Sequence, residues 1–64
     1  YAKAIDDYTK AIQLNPDLAE AYYNRGLARI YANSKAAGIE DLSKAGELGL
    51  YDAYSVIKKY RDKK

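Results

Sequence analysis

Residues 1–14, YAKAIDDYTKAIQL, return 34 positions later as residues 35–48, KAAGIEDLSKAGEL. Ala2/Ala36, Ile5/Ile39, Asp7/Asp41, Lys10/Lys44, Ala11/Ala45 and Leu14/Leu48 are identical, 6 matches in a 14-residue window, where ordinary composition gives about one. Asp6/Glu40, Thr9/Ser43 and Gln13/Glu47 keep their chemistry. A chain that repeats at this period is built of stacked units. Each unit buries its apolar face on its neighbours and leaves an extended surface for recognition in place of a catalytic cleft.

Each copy reads locally as a helix. In the first, about residues 1–14, Ala4, Ile5, Tyr8, Ala11 and Ile12 share one face at i, i+3, i+4 spacing while Asp6 and Lys10 pair on another. Asn15-Pro16 stops it, because the residue before proline is pushed out of the α region. Asp17, with Glu20 three residues on, predicts a capping box for a second helix running to about Ala32. Its apolar side is Tyr22, Tyr23, Gly26, Leu27, Ile30 and Tyr31, and Gly26 lets a neighbouring helix come close. Asn33-Ser34 supplies a turn and the next N-cap. The third helix, about residues 35–48, turns Ile39, Leu42, Ala45 and Leu48 inward, with Glu40 and Lys44 paired outward. Gly38 and Gly46 inside it each cost about 1 kcal/mol relative to Ala, so this helix depends on its neighbours. Gly49 is the expected left-handed stop. A fourth helix, about residues 51–61, gathers Ala53, Tyr54, Ile57 and Tyr60 on one side. Tyr8, Tyr22, Gly26, Leu42 and Ala45 are the expected buried positions, and the adjacent acids Asp6-Asp7 and Glu40-Asp41 read as solvated faces.

Tyr22-x2-Arg25-Gly26, Gly38-x3-Leu42 and, in the earlier copy, Ala4-x3-Tyr8 followed by Asn15-Pro16 resemble the tetratricopeptide repeat, whose pattern is W-x2-L-G-x2-Y, A-x3-F, P. The stretch from Leu14 to Gly26 looks like a junction between two such repeats. The resemblance implies an all-α, right-handed superhelical array of antiparallel helix-turn-helix units, here about four helices in a single domain over residues 1–64. Residues 1–18 match the second helix of a repeat, 19–50 a complete but degenerate repeat, and 51–64 a helix capping the C-terminal end of the array. Arg25 and Arg29 stand where the family prefers Leu and Tyr, Gly38 where it prefers Ala and Leu50 where it prefers Pro, which predicts looser packing in the last hairpin.

Composition narrows the function. With 64 residues there is room for one small domain, and a chain of this size buries only about 60% of its unfolded surface. The sequence holds no Cys and no His, which excludes disulfides and a conventional zinc site. A Ser or Thr nucleophile at Thr9, Ser34, Ser43 or Ser55 has no base at a suitable spacing, and the glycines match no phosphate-cradling fingerprint. The expectation is a non-enzymatic protein with no catalytic residue, no metal and no cofactor. No apolar run approaches the roughly 20 residues of a membrane span, and Tyr1 begins inside a helical pattern without signal-peptide grammar, so a soluble, cytoplasmic protein, here as a fragment, is expected. Six basic and eight acidic residues precede Lys58, whereas Lys58, Lys59, Arg61, Lys63 and Lys64 face only Asp62. That basic tail offers weak attraction to nucleic acid or an acidic partner, but it equally suits a helix C-terminus.

All eight aromatic residues are Tyr, each a flat apolar body with a hydroxyl that needs a partner or water. In the family the first helix of each repeat lines a concave groove, which by resemblance makes Glu20, Tyr23, Asn24, Leu27 and Tyr31 the binding strip, continued by Tyr54, Lys58 and Arg61. Tetratricopeptide domains that clamp the C-terminal carboxylates of heat-shock chaperones carry an asparagine matching Asn24 and a cation where Lys58 falls, but Leu27 and Tyr54 stand where that clamp needs Asn and Lys. The function implied is a scaffold that holds a protein or peptide segment in a shallow groove. The alternatives are a homo-oligomer formed through the uncovered face of the first helix, and weak nucleic-acid binding through the tail.

Overall fold

The computed structural model describes residues 1–62 and contains four helices, α1 (Ala2–Leu14), α2 (Ala19–Tyr31), α3 (Lys35–Glu47) and α4 (Asp52–Arg61). Lys63 and Lys64, the end of the basic tail, lie outside the described residues. Consecutive helices pack on one another in the order α1 on α2, α2 on α3 and α3 on α4, with the α2·α3 contact the most extensive. The Cα atoms span 34 × 25 × 12 Å, a slab too thin to enclose many side chains. Full burial is therefore concentrated around α3, where Leu42, Ala45, Ala53 and Ile57 form the core and Tyr22, Tyr23, Ile30, Ile39, Leu50 and Val56 pack around it.

The helices stop where the local chemistry requires. At the end of α2 the chain turns through Asn33 at φ 69°, so that the Ser34 N–H donates to the Arg29 carbonyl at 2.7 Å and the Asn33 N–H to that of Ile30. The end of α3 repeats the device with Gly49 at φ 111°, the Leu50 N–H donating to the Ala45 carbonyl and the Gly49 N–H to that of Gly46. Both are Schellman closures, in which one left-handed residue satisfies carbonyls that the helix leaves open. Gly at one site and Asn at the other are the residue types that tolerate that region.

Helix starts depart from the expectation. Asp17 does not cap α2; the helix begins at Ala19 after Leu18, and no side chain caps it. The Asp17 N–H instead donates to the Asn15 side-chain oxygen at 3.3 Å, a local turn that competes with the capping geometry. Ser34 occupies the N-cap of α3, but its hydroxyl makes no cap bond.

The α2·α3 contact is tight rather than loose. A Cβ added at Gly26 would lie 2.7 Å from the Gly38 carbonyl oxygen, and one at Gly38 would lie 2.5 Å from that of Gly26. Neither backbone can yield, so the two glycines are the condition for this helix approach. Gly26, Leu42 and Ala45 are buried, whereas Tyr8 and Tyr22 are only half-buried because each lies at the margin of the thin slab. Asp41, expected on a solvated face, is 5% exposed.

Candidate functional site

The two residues that break the repeat pattern explain that buried acid. Arg25 donates to both Asp41 oxygens, Nε to Oδ2 at 2.9 Å and Nη2 to Oδ1 at 2.8 Å, and Arg29 Nη1 adds a third bond to Oδ2 at 2.9 Å. A bidentate fork is the strong form of such a pair. Arg25 Nη1 also reaches Thr9 Oγ1 at 3.3 Å, and that hydroxyl donates to the Ile5 carbonyl at 2.7 Å, so one guanidinium ties α1, α2 and α3 together. Its Cζ lies 5.6 Å from the centroid of the Tyr22 ring. The hydrogen bonds to Asp41 raise the Arg25 pKa further above its ordinary value, against the opposing effect of burial. No buried side-chain nitrogen or oxygen among the described residues lacks a partner.

This clamp fixes α2, and with it a concave hollow of about 290 Å³ lined by Glu20, Tyr23, Asn24, Leu50 and Asp52. Glu20 stands in the first turn of α2 and Asp52 in the first turn of α4, where carboxylates complement the helix dipole. The turn at Gly49 brings Leu50 and the start of α4 back beside the start of α2. The hollow thus offers two carboxylates as acceptors, an amide that both donates and accepts, an aromatic ring and an aliphatic wall. Its lining holds no nucleophile, base and oxyanion-stabilising set.

Of the residues expected in the binding strip, Glu20, Tyr23 and Asn24 meet in this hollow. Leu27 follows along α2 and is half-buried. Tyr31 lies at the far end of α2, its ring centroid 5.7 Å from that of Tyr1 and 6.5 Å from that of Tyr60. A 3.5 Å hydrogen bond between the Tyr31 and Tyr60 hydroxyls raises the Tyr31 pKa above its ordinary value. Tyr54 is placed apart from the hollow, its ring over Gly46 of α3, where an added Cβ would come within 2.5 Å of Tyr54 Cζ. Lys58 and Arg61 are exposed on α4, Arg61 3.7 Å from Asp62.

Leu50 and Asp52 escaped the sequence reading, yet a signal for them exists. Leu18-Ala19-Glu20-Ala21-Tyr22 corresponds to Leu50-Tyr51-Asp52-Ala53-Tyr54 at a spacing of 32 residues, because Leu50 follows Leu48 by two positions where Leu18 follows its counterpart Leu14 by four. Glu20 and Asp52 are therefore the same position in the equivalent helices α2 and α4.

Among the described residues no group of three or more His, Cys, Asp or Glu side chains is placed to hold a metal ion, and no helix is long and apolar enough to cross a membrane. Paired antiparallel helices around a shallow hollow define a helical-repeat scaffold. A family model described as TPR repeat matches residues 1–30 and supports assigning that stretch to the tetratricopeptide repeat, a non-enzymatic repeat type that generally mediates protein–protein interaction. No curated protein and no solved structure matches the chain.

Proposed function

We propose that the chain is an interaction module that holds a protein or peptide segment along the concave face of α2, seated in the hollow between the starts of α2 and α4. The observation that carries this reading is the convergence of Glu20, Tyr23, Asn24, Leu50 and Asp52 on one hollow. Its two carboxylates and amide favour a segment that presents N–H donors or a cationic side chain, with apolar contact to Tyr23 and Leu50. The test is a displayed peptide library selected on the 64-residue chain, with the selected peptides then titrated against variants. Tyr23→Ala and Asn24→Ala should each weaken binding by at least about fivefold, the ratio of a 1 kcal/mol contact, while the helical circular dichroism signal is retained. Binding that survives both changes and disappears on neutralising Lys58, Lys59 and Arg61 would place the site on the basic end of α4 instead. A steep loss with added salt would accompany that outcome.

A second reading is supported by α1, which carries no fully buried residue and exposes 88% of Leu14. In this reading another copy of the chain covers the outer face of α1. Sedimentation across a wide concentration range tests it, since a chain that stays monomeric and cooperatively folded at high micromolar concentration has no such contact.

A further inference from the structure

The contact that joins α2 to α3 exists a second time on this chain, unassembled. Of the residues that form it, Tyr22, Arg29, Asp41 and Ala45 keep their type in the second copy, whereas Arg25, the bidentate partner of Asp41, has Ile57 as its counterpart. At the 32-residue spacing Tyr22 and Arg29 correspond to Tyr54 and Arg61 of α4, and at the 34-residue spacing Asp41 and Ala45 correspond to Asp7 and Ala11 of α1, all four residue types unchanged. Within α2·α3 the Arg29 and Asp41 side chains meet at 2.9 Å with Asp41 buried. Their counterparts are open: Asp7 is exposed and makes no ion pair among the described residues, and Arg61 has only the 3.7 Å contact to Asp62, with 66% of its side chain exposed. Tyr54, one more counterpart, is 48% exposed.

Tyr54, Lys58 and Arg61 recur at i, i+4, i+7 and form one stripe along α4. Ala4, Asp7 and Ala11 likewise form one stripe along α1. We infer that the stripe of α4 on one copy docks on the stripe of α1 of a second copy, antiparallel, with Arg61 meeting Asp7 of that copy as Arg29 meets Asp41 within the chain. This rests on the self-association reading above and supplies its occupant and its register. Because the two stripes are different surfaces on opposite sides of the array, the contact is heterologous. Each copy that docks leaves a fresh α4 stripe at one end and a fresh α1 stripe at the other, so the assembly extends without closing.

Two positions set the strength. Where α2·α3 has Gly26 and Gly38 in backbone contact, the stacked pair has Lys58 and Ala4. The helices stand farther apart, the Lys58 stem lies along the contact with its ammonium in water, and association is reversible and salt-sensitive.

The test is sedimentation equilibrium of the 64-residue chain from low to high micromolar concentration, with D7R, R61D and an equimolar mixture of the two. The expected mass rises continuously past that of a dimer. Each single variant sets like charges across the contact and should weaken association by at least about tenfold. The mixture, in which every contact again joins opposite charges, should recover it. Both residues are exposed, so all species should keep the wild-type circular dichroism spectrum. A wild-type chain that stays monomeric overturns the inference together with the self-association reading and leaves the peptide-binding hollow untouched. Assembly that is closed at two copies, or that resists both charge reversals, overturns this register alone while copies still associate.

Discussion

α1 and α3 share six identical residues in fourteen, yet their fates differ position by position. Asp7 is exposed and Asp41 buried; Ala11 is half-buried and Ala45 fully so; Leu14 is exposed and Leu48 half-buried. Tyr8 is half-buried where Leu42, its counterpart, is at 0% exposure. α3 lies between α2 and α4, whereas α1 makes its principal contact with α2 alone. The comparison teaches that the repeated sequence encodes a face able to be covered, and the number of neighbouring helices decides whether it is.

Substitutions at paired positions can break or sharpen this contrast. The largest difference is expected at Leu42 and Tyr8: Leu42→Ala should cost about 2–5 kcal/mol, enough to unfold a domain of this size outright, while Tyr8→Ala should cost clearly less. Thermal melts followed by circular dichroism would show it, and equal costs would mean that α1 is packed as firmly as α3. Next come the two aspartates. Asp41→Asn removes the charge that two arginines share and should cost up to about 3 kcal/mol, the lower range for breaking a buried pair, because Arg29 retains access to water. Asp7→Asn should stay within about 0.5 kcal/mol in dilute monomeric protein.

A smaller effect tests the close approach of helices. Gly38→Ala should destabilise by about 1–3 kcal/mol despite its better helix propensity, because the new methyl meets the Gly26 carbonyl oxygen and Ile30. Ala already occupies the equivalent position 4 in α1. A stabilising Gly38→Ala would show that α2 and α3 can separate without loss. The slightest effect belongs to the far end of α2. Tyr60→Phe should move the Tyr31 titration back toward the ordinary tyrosine value, seen by ultraviolet absorbance at alkaline pH. A folded-state pKa raised above the unfolded value favours folding below the unfolded value, and this contribution fades as pH rises through the folded one. The contribution should thus be lost in wild type above the ordinary tyrosine range and be absent in the variant.

Much of the fold was legible in the chain. Period-3.6 apolar spacing marked the helices, and Asn15-Pro16, Asn33-Ser34 and Gly49 marked their ends to within a few residues. These signals are local, since a proline or a left-handed residue acts on its own backbone wherever it sits. The capping box expected at Asp17 does not form, and the Asp17 N–H donates to the Asn15 side-chain oxygen instead. Of the candidate site, the α2 residues Glu20, Tyr23 and Asn24 could be anticipated, whereas Leu50 and Asp52 could not be placed until the turn at Gly49 brought the start of α4 beside α2.

The sequence by itself determined four helices, their order and their antiparallel hairpins, because period, proline, glycine and connection length constrain the chain residue by residue. Tertiary structure decided what the identical residues mean. Arg25 and Arg29 look like defects in the repeat pattern, and an aspartate beside a glutamate looks like solvent-facing surface, until α2 and α3 bring the three together at 2.8–2.9 Å. Whether a charge is buried, and whether two carboxylates 32 residues apart line one hollow, depends on distances between helices that no local pattern specifies. Those distances follow from how closely two glycines allow the backbones to approach.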